Sequence, residues 1–235
     1  MLHNTKGIVL RTVKYGETSV IVSIYTLHFG IQSYIVNGVR TTQKKRSKAN
    51  IYQVSTILDM VVYHQPNKNL QRIKEAKALW NIQSTNNDVT QYSVAIFMIE
   101  VFQKVITEPE TNEELYYFIE EKITQIAKSK PANQPILFLI AFSKIIGYEI
   151  RNNYTETQTH FSIQDGCFVE SNTVGTVSLQ TSFRIHQMLN NDASAVSVSN
   201  KERKEILLIL IQYLQYHIPH LSEIKSIAVL HELLH

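Results

Sequence analysis

Up to Trp80 the apolar positions recur every second residue, and beyond it they recur every third or fourth. Lys6–Lys14 puts Ile8, Leu10 and Thr12 on one side and Val9, Arg11 and Val13 on the other, a strand pattern rich in β-branched residues. Tyr15-Gly16-Glu17 is turn chemistry. Ser19–Thr26 (SVIVSIYT) is a second strand, Leu27-His28-Phe29-Gly30 closes a hairpin, and Ile31–Val36 is a third, ended by Asn37-Gly38. Ile51–Tyr63 supports a long fourth strand. After the turn cluster Gln65–Asn69, Leu70–Leu79 forms a fifth with Leu70, Ile73 and Ala76 inward. Strands this short, joined by glycine turns and one long loop, suit a small antiparallel barrel of the oligonucleotide-binding (OB) kind. The pattern alone leaves an SH3-like barrel or an open sandwich as alternatives.

Asn81–Asp88 is polar and marks a boundary, after which helical spacing takes over. Helices are predicted over Thr90–Ile106, Asn112–Ala127, Gln134–Ile146, Gln180–Leu189, Lys201–Tyr216 and Ser222–Leu234. Thr111 and Asn112 followed by Glu113 and Glu114 make a capped helix start, and Ser199 with Glu202 has capping-box spacing. Tyr148–Val177 reads as an irregular connection with at most a small hairpin. The expected class is therefore α+β: an OB-fold nucleic-acid-binding barrel over 1–80, then an α-helical domain over 81–235 with an irregular insert near 148–178.

Composition adds little until its distribution is considered. Through Ala78 the chain holds twelve Lys/Arg against Glu17, Asp59 and Glu75, a balance of +9, while the remainder holds eleven against seventeen acids, a balance of −6. No acid lies between Glu17 and Asp59, a stretch that carries Arg40, Lys44, Lys45, Arg46 and Lys48 after the third strand. A basic front and an acidic back point to a polyanion partner, nucleic acid above all. Arg11 and Lys14 add to the same surface if both project outward. Tyr25, Tyr34, Tyr52 and Tyr63 lie on or beside strands, where each is either core packing or a stacking surface for bases. No apolar run approaches the roughly 20 residues of a membrane span, so no membrane partner is expected. No secretory leader is evident at the N-terminus, and a cytoplasmic address is the expectation.

Catalytic signals are thin. His231-Glu232-Leu233-Leu234-His235 matches the HExxH zinc-hydrolase pattern, and a zinc-dependent hydrolase is the alternative reading. The match occupies the last five residues, with no downstream turn to hold its two ligands rigid. His217 and His220 flank the helix-breaking Pro219, and Cys167, the one cysteine, lacks a partner pattern for nucleophilic chemistry. P-loop, GxGxxG and GxSxG motifs are absent from the sequence. No enzyme, metal or cofactor is expected. A barrel that binds RNA or protein is a further alternative.

The segment Ile8–Arg40, with its Ile-Val-Leu strand, Gly16-Glu17 turn, Thr26 and Gly30 hairpin and Gly38-x-Arg40 exit, resembles the RecO recombination mediators of bacteria. Phe138–Gly147 (FLIAFSKIIG) is similar to a helix of that family's second domain. The resemblance implies a non-enzymatic DNA repair protein that binds single- and double-stranded DNA and anneals complementary strands. It also implies partners: single-stranded DNA-binding protein, and RecR, with which it helps load the RecA recombinase. By position, Arg40 and Lys44–Lys48 match the family's basic DNA-binding loop. It implies a cytoplasmic protein that works at the nucleoid during repair. Many members carry a CxxC…CxxC zinc element near the position of Tyr148–Cys167; here Cys167 stands alone, so no structural zinc is expected.

Overall fold

In the computed structural model, residues 1–39, 51–82, 88–107, 110–128, 132–170, 175–190 and 196–233 are described. Five strands, β1 (Leu2–Tyr15), β2 (Ser19–Thr26), β3 (Gly30–Val36), β4 (Ile57–Tyr63) and β5 (Leu70–Trp80), close into a barrel in the order β1-β2-β3-β5-β4. Neighbours run antiparallel except β3 and β5, whose parallel pairing spans Ser33–Leu70 to Ile35–Arg72. This is the five-stranded OB barrel that the alternation predicts. Its interior holds Val9 from β1, Val20, Val22 and Ile24 from β2, Tyr34 from β3, and Leu58, Met60 and Val62 from β4. At Gly7 the wall leaves no room for a side chain as it stands: a Cβ there would lie 2.4 Å from Ile24 Cγ2 and 2.6 Å from Met60 Cε.

The structure departs from simple alternation at three places. In β1 the pairing with β2 skips Leu10, a β-bulge that rotates the strand by one residue. Ile8 therefore shares a side with Tyr25, but Thr12 turns to the side of Val22 rather than staying with Ile8. The fourth strand begins only at Ile57. Before it, Ser55 adopts a left-handed φ of 72°, and residues 55 and 56 exchange backbone hydrogen bonds with Val9 (both 2.9 Å), which ends any strand upstream. Tyr52 is thereby folded into the barrel core. In β5, Leu70 points outward and Gln71 is buried beside Tyr34. The Gln71 carboxamide is satisfied by the preceding turn: it donates to the carbonyls of Gln65 and Lys68 and accepts from the Gln65 amide. A bulge at Lys74 then lets Ile73 and Ala76 both pack inward as predicted.

The chain forms two compact units, Met1–Ser129 and Lys130–His235. In the first, α1 (Val89–Val105) and α2 (Glu113–Ile126) accompany the barrel. Asp88 caps α1, and the predicted Asn112 cap of α2 accepts from the Leu115 amide, with Glu113 and Glu114 favoured in that first turn by the helix dipole. The helices cover Tyr25, whose ring centroid lies 4.9 Å from Phe102 and 6.0 Å from Tyr116. The Tyr25 hydroxyl donates to the Asn112 carbonyl at 3.1 Å.

The second unit contains α3 (Gln134–Ile145), a hairpin of β6 (His160–Ser162) and β7 (Cys167–Val169), α4 (Leu179–Leu189), α5 (Asn200–His217) and α6 (Ser226–Leu233). The predicted Ser199–Glu202 capping box is formed in full. The last helix starts later than its spacing suggests, since Leu221 and Ile224 are buried from non-helical chain. Among the described residues no helix is long and apolar enough to cross a membrane.

Candidate nucleic-acid interface

The bulge at Leu10 decides which side chains of β1 share a surface. Beyond it, Arg11, Val13 and Tyr15 face outward, paired with Ser23, Ile21 and Ser19 of β2. Those rows continue across β3 to Ser33 and Ile35, and then onto β5 at Leu70 and Arg72. The outward rows therefore run around the barrel wall over four strands, with Ser23, Ser33, Ile21 and Ile35 partly buried between Arg11 and Arg72, which are exposed at the two ends. By this route three strand spacings, about 14 Å along the curved wall, separate β1 from β5, and β4 joins the same two strands on the other side. Among the described residues neither arginine has an acid within ion-pair distance, whereas Lys6 lies 3.9 Å from Glu120 and Lys74 3.8 Å from Glu75. Two guanidiniums without an acid partner at the ends of this weakly polar row suit the phosphates of a strand that follows the barrel wall.

The predicted site residues are placed unequally. Arg11 lies on this face. Lys14 sits three residues further along a strand, hence on the opposite side of β1, exposed at the rim beside Val20 and, one strand on, Val36. Arg40, Lys44, Lys45, Arg46 and Lys48 lie outside the described residues. Outside that stretch, Val39 is fully buried, and Tyr52, buried in the same core, accepts a hydrogen bond at its carbonyl from the Thr12 hydroxyl. Val39 and Tyr52 thus both pack in the barrel core, Tyr52 against the strand segment that carries Arg11 and Lys14.

Of the candidate tyrosines, Tyr25, Tyr34 and Tyr52 are core. Burial raises the phenol pKa of all three, that of Tyr52 to about 12. Tyr63 is 45% exposed, on β4 next to Arg72. Two residues of the face were missed by the site prediction. Tyr15, read as turn chemistry, is 52% exposed, and Arg72 was counted only as charge. Spacing from the bulge selects Tyr15, and a bulge has no signature in the sequence here.

The other chemical candidates take structural places. His217 packs against Tyr213 (4.5 Å) and Tyr148 (5.8 Å), with Nε2 3.3 Å from the Ile163 carbonyl. Cys167 is buried in β7. His231 and Glu232 lie on α6, and His235 lies outside the described residues. Burial first, and then the charge of Lys204, hold the His231 imidazole below its ordinary pKa. A zinc element does not fit the 148–178 region: one buried thiol is its only sulfur donor, and the Asn153 carboxamide bonds both backbone groups of Phe168 there.

A closed five-strand OB barrel followed by helices defines the class, an OB-fold protein with a helical second part. Residues 1–81 match the family model "Recombination protein O N terminal" and residues 86–226 match "Recombination protein O C terminal". The chain is 29% identical over 238 residues to the DNA repair protein RecO of Christiangramia forsetii, covering 99% of each. It is 30% identical to that of Phocaeicola vulgatus, again over 99% of each, and 28% identical to that of Flavobacterium psychrophilum, over 97% of each. The chain belongs to the recombination protein O family of DNA repair proteins.

Proposed function

We propose that this chain is a recombination mediator that binds single- and double-stranded DNA and anneals complementary strands without an active site of its own. With RecR it helps load the RecA recombinase onto DNA covered by single-stranded DNA-binding protein, in the cytoplasm at sites of repair. The barrel, residues 1–80, is the DNA-binding domain; residues 81–235 form the helical domain, whose acidic balance leaves it for protein contacts. The observation that carries this reading is the outward row between Arg11 and Arg72, whose β1 end is joined through Thr12 to Tyr52, just past the basic stretch Arg40–Lys48. Annealing needs only that cations screen two phosphate backbones and hold the strands together while bases pair.

The reading is tested by fluorescence anisotropy with single-stranded DNA, duplex and RNA at several salt concentrations, together with an annealing assay. Arg40→Glu combined with Lys45→Glu should weaken DNA binding and annealing while the circular dichroism spectrum is kept. The slope of log K against log salt should shrink by about 0.7 for each single-strand phosphate that the protein no longer neutralises. Annealing that survives the double substitution would overturn the assignment of the basic stretch.

A further inference from the structure

We propose that Tyr15 is a stacking platform for an unpaired base, which makes this face prefer single strands to duplex. The inference rests on the nucleic-acid reading above and adds to it the residue that reads strandedness.

Tyr15 is the last residue of β1 and is 52% exposed; Val13, two residues earlier on the same side, is 43% exposed. Single exposed apolar side chains are ordinary on protein surfaces and need no explanation. Here the two are neighbours along the strand, and Ile21, paired with Val13, continues the apolar strip onto β2. Beside Tyr15 on β2, the Ser19 hydroxyl is 3.0 Å from the Asn37 carboxamide oxygen, so the ring is bordered by a fixed polar pair rather than by bulk. The core tyrosines cannot serve a ligand, because Tyr25, Tyr34 and Tyr52 are at most 3% exposed. Tyr15 therefore supplies the aromatic surface on the outer side of β1 and β2.

The charges around it select the occupant. Arg11 stands on the same side of β1, about 14 Å away at four strand residues' distance. Lys14 flanks Tyr15 on the opposite side of the strand, at the rim. Cations along the strand that carries an exposed ring can hold the phosphates of a single strand while one of its bases lies on the aromatic face. A duplex offers the same phosphates, but its base faces are already covered by stacking.

Three variants test this with oligothymidine and a mixed-sequence duplex as probes. Tyr15→Ala should lower the ratio of single-strand to duplex affinity about tenfold, the size of one missing base stack, with no change in salt slope because no charge is removed. Tyr15→Phe should keep the wild-type ratio. Arg11→Ala should instead reduce the single-strand salt slope by about 0.7. A single strand carrying 2-aminopurine should show an emission change on binding that Tyr15→Ala abolishes. An unchanged affinity ratio in Tyr15→Ala, with wild-type binding intact, overturns the platform alone. A wild-type chain that binds neither probe overturns the nucleic-acid reading and the platform with it.

Discussion

Asn153 shows how one side chain can close an irregular segment. Its carboxamide nitrogen donates to the Phe168 carbonyl at 2.9 Å and to Gln158 Oε1 at 2.7 Å, and its oxygen accepts from the Phe168 amide at 2.8 Å. The side chain thus occupies the place of a neighbouring strand on the edge of β7, and Phe168 is only 1% exposed. At the tip of the same hairpin, Gly166 has φ +62°, and a Cβ there would lie 2.9 Å from the Tyr213 ring, so a glycine is required. Replacing Asn153 by Ala strands two buried backbone groups. It should cost about 1–3 kcal/mol, read as a lowered urea midpoint of the helical unit. A midpoint equal to wild type would show that water replaces the carboxamide without penalty.

At the scale of elements, the start of α5 joins a cap to an ion pair. Glu202 accepts from the Ser199 backbone amide and hydroxyl (both 2.8 Å) and pairs with Arg184 at 2.8 Å. The Ser199 backbone and hydroxyl, then Arg184, hold its carboxyl down to about 2 from an ordinary 4.5. A depressed carboxyl stabilises the fold above the unfolded value and loses that contribution as pH falls through the folded one. The melting temperature should therefore fall between pH 4.5 and pH 2. Glu202→Gln, which can still cap the helix but cannot ionise, should flatten that decline in melts followed by circular dichroism. Equal slopes in the two proteins would remove Glu202 from the acid response. The bulge in β1 works at the same scale: it turns Thr12 toward Tyr52 and leaves Arg11, Val13 and Tyr15 together on the open side.

For the whole molecule, the barrel strands do not close the first compact unit by themselves. Ile8 and Tyr25 are fully buried on the outside of the barrel wall, and rings from α1 and α2 are what cover Tyr25. Exposing large side chains of this kind costs about 1.5–3 kcal/mol each. A chain cut after Trp80 should bind the dye ANS and aggregate, while one ending at Ser129 should unfold in a single cooperative urea transition. Cooperative unfolding of the shorter chain would show that the helices are dispensable cover.

The sequence by itself determined the five barrel strands in order, the helical second part and both caps at Asn112 and Ser199, and it allowed a small hairpin within Tyr148–Val177, which the structure places at 160–169. These follow from local rules: alternation, helical spacing and the hydrogen-bonding reach of a capping side chain. Without coordinates, charge segregation pointed to a nucleic-acid partner and the Ile8–Arg40 resemblance to the family. Only the tertiary structure decided which residues share a face. Facing depends on parity, and single bulges at Leu10 and Lys74 reset parity without leaving a mark in the hydrophobic pattern. For the same reason Tyr25, Tyr34 and Tyr52 belong to the core and Tyr15 to the surface, because burial depends on what packs against a strand from elsewhere in the chain.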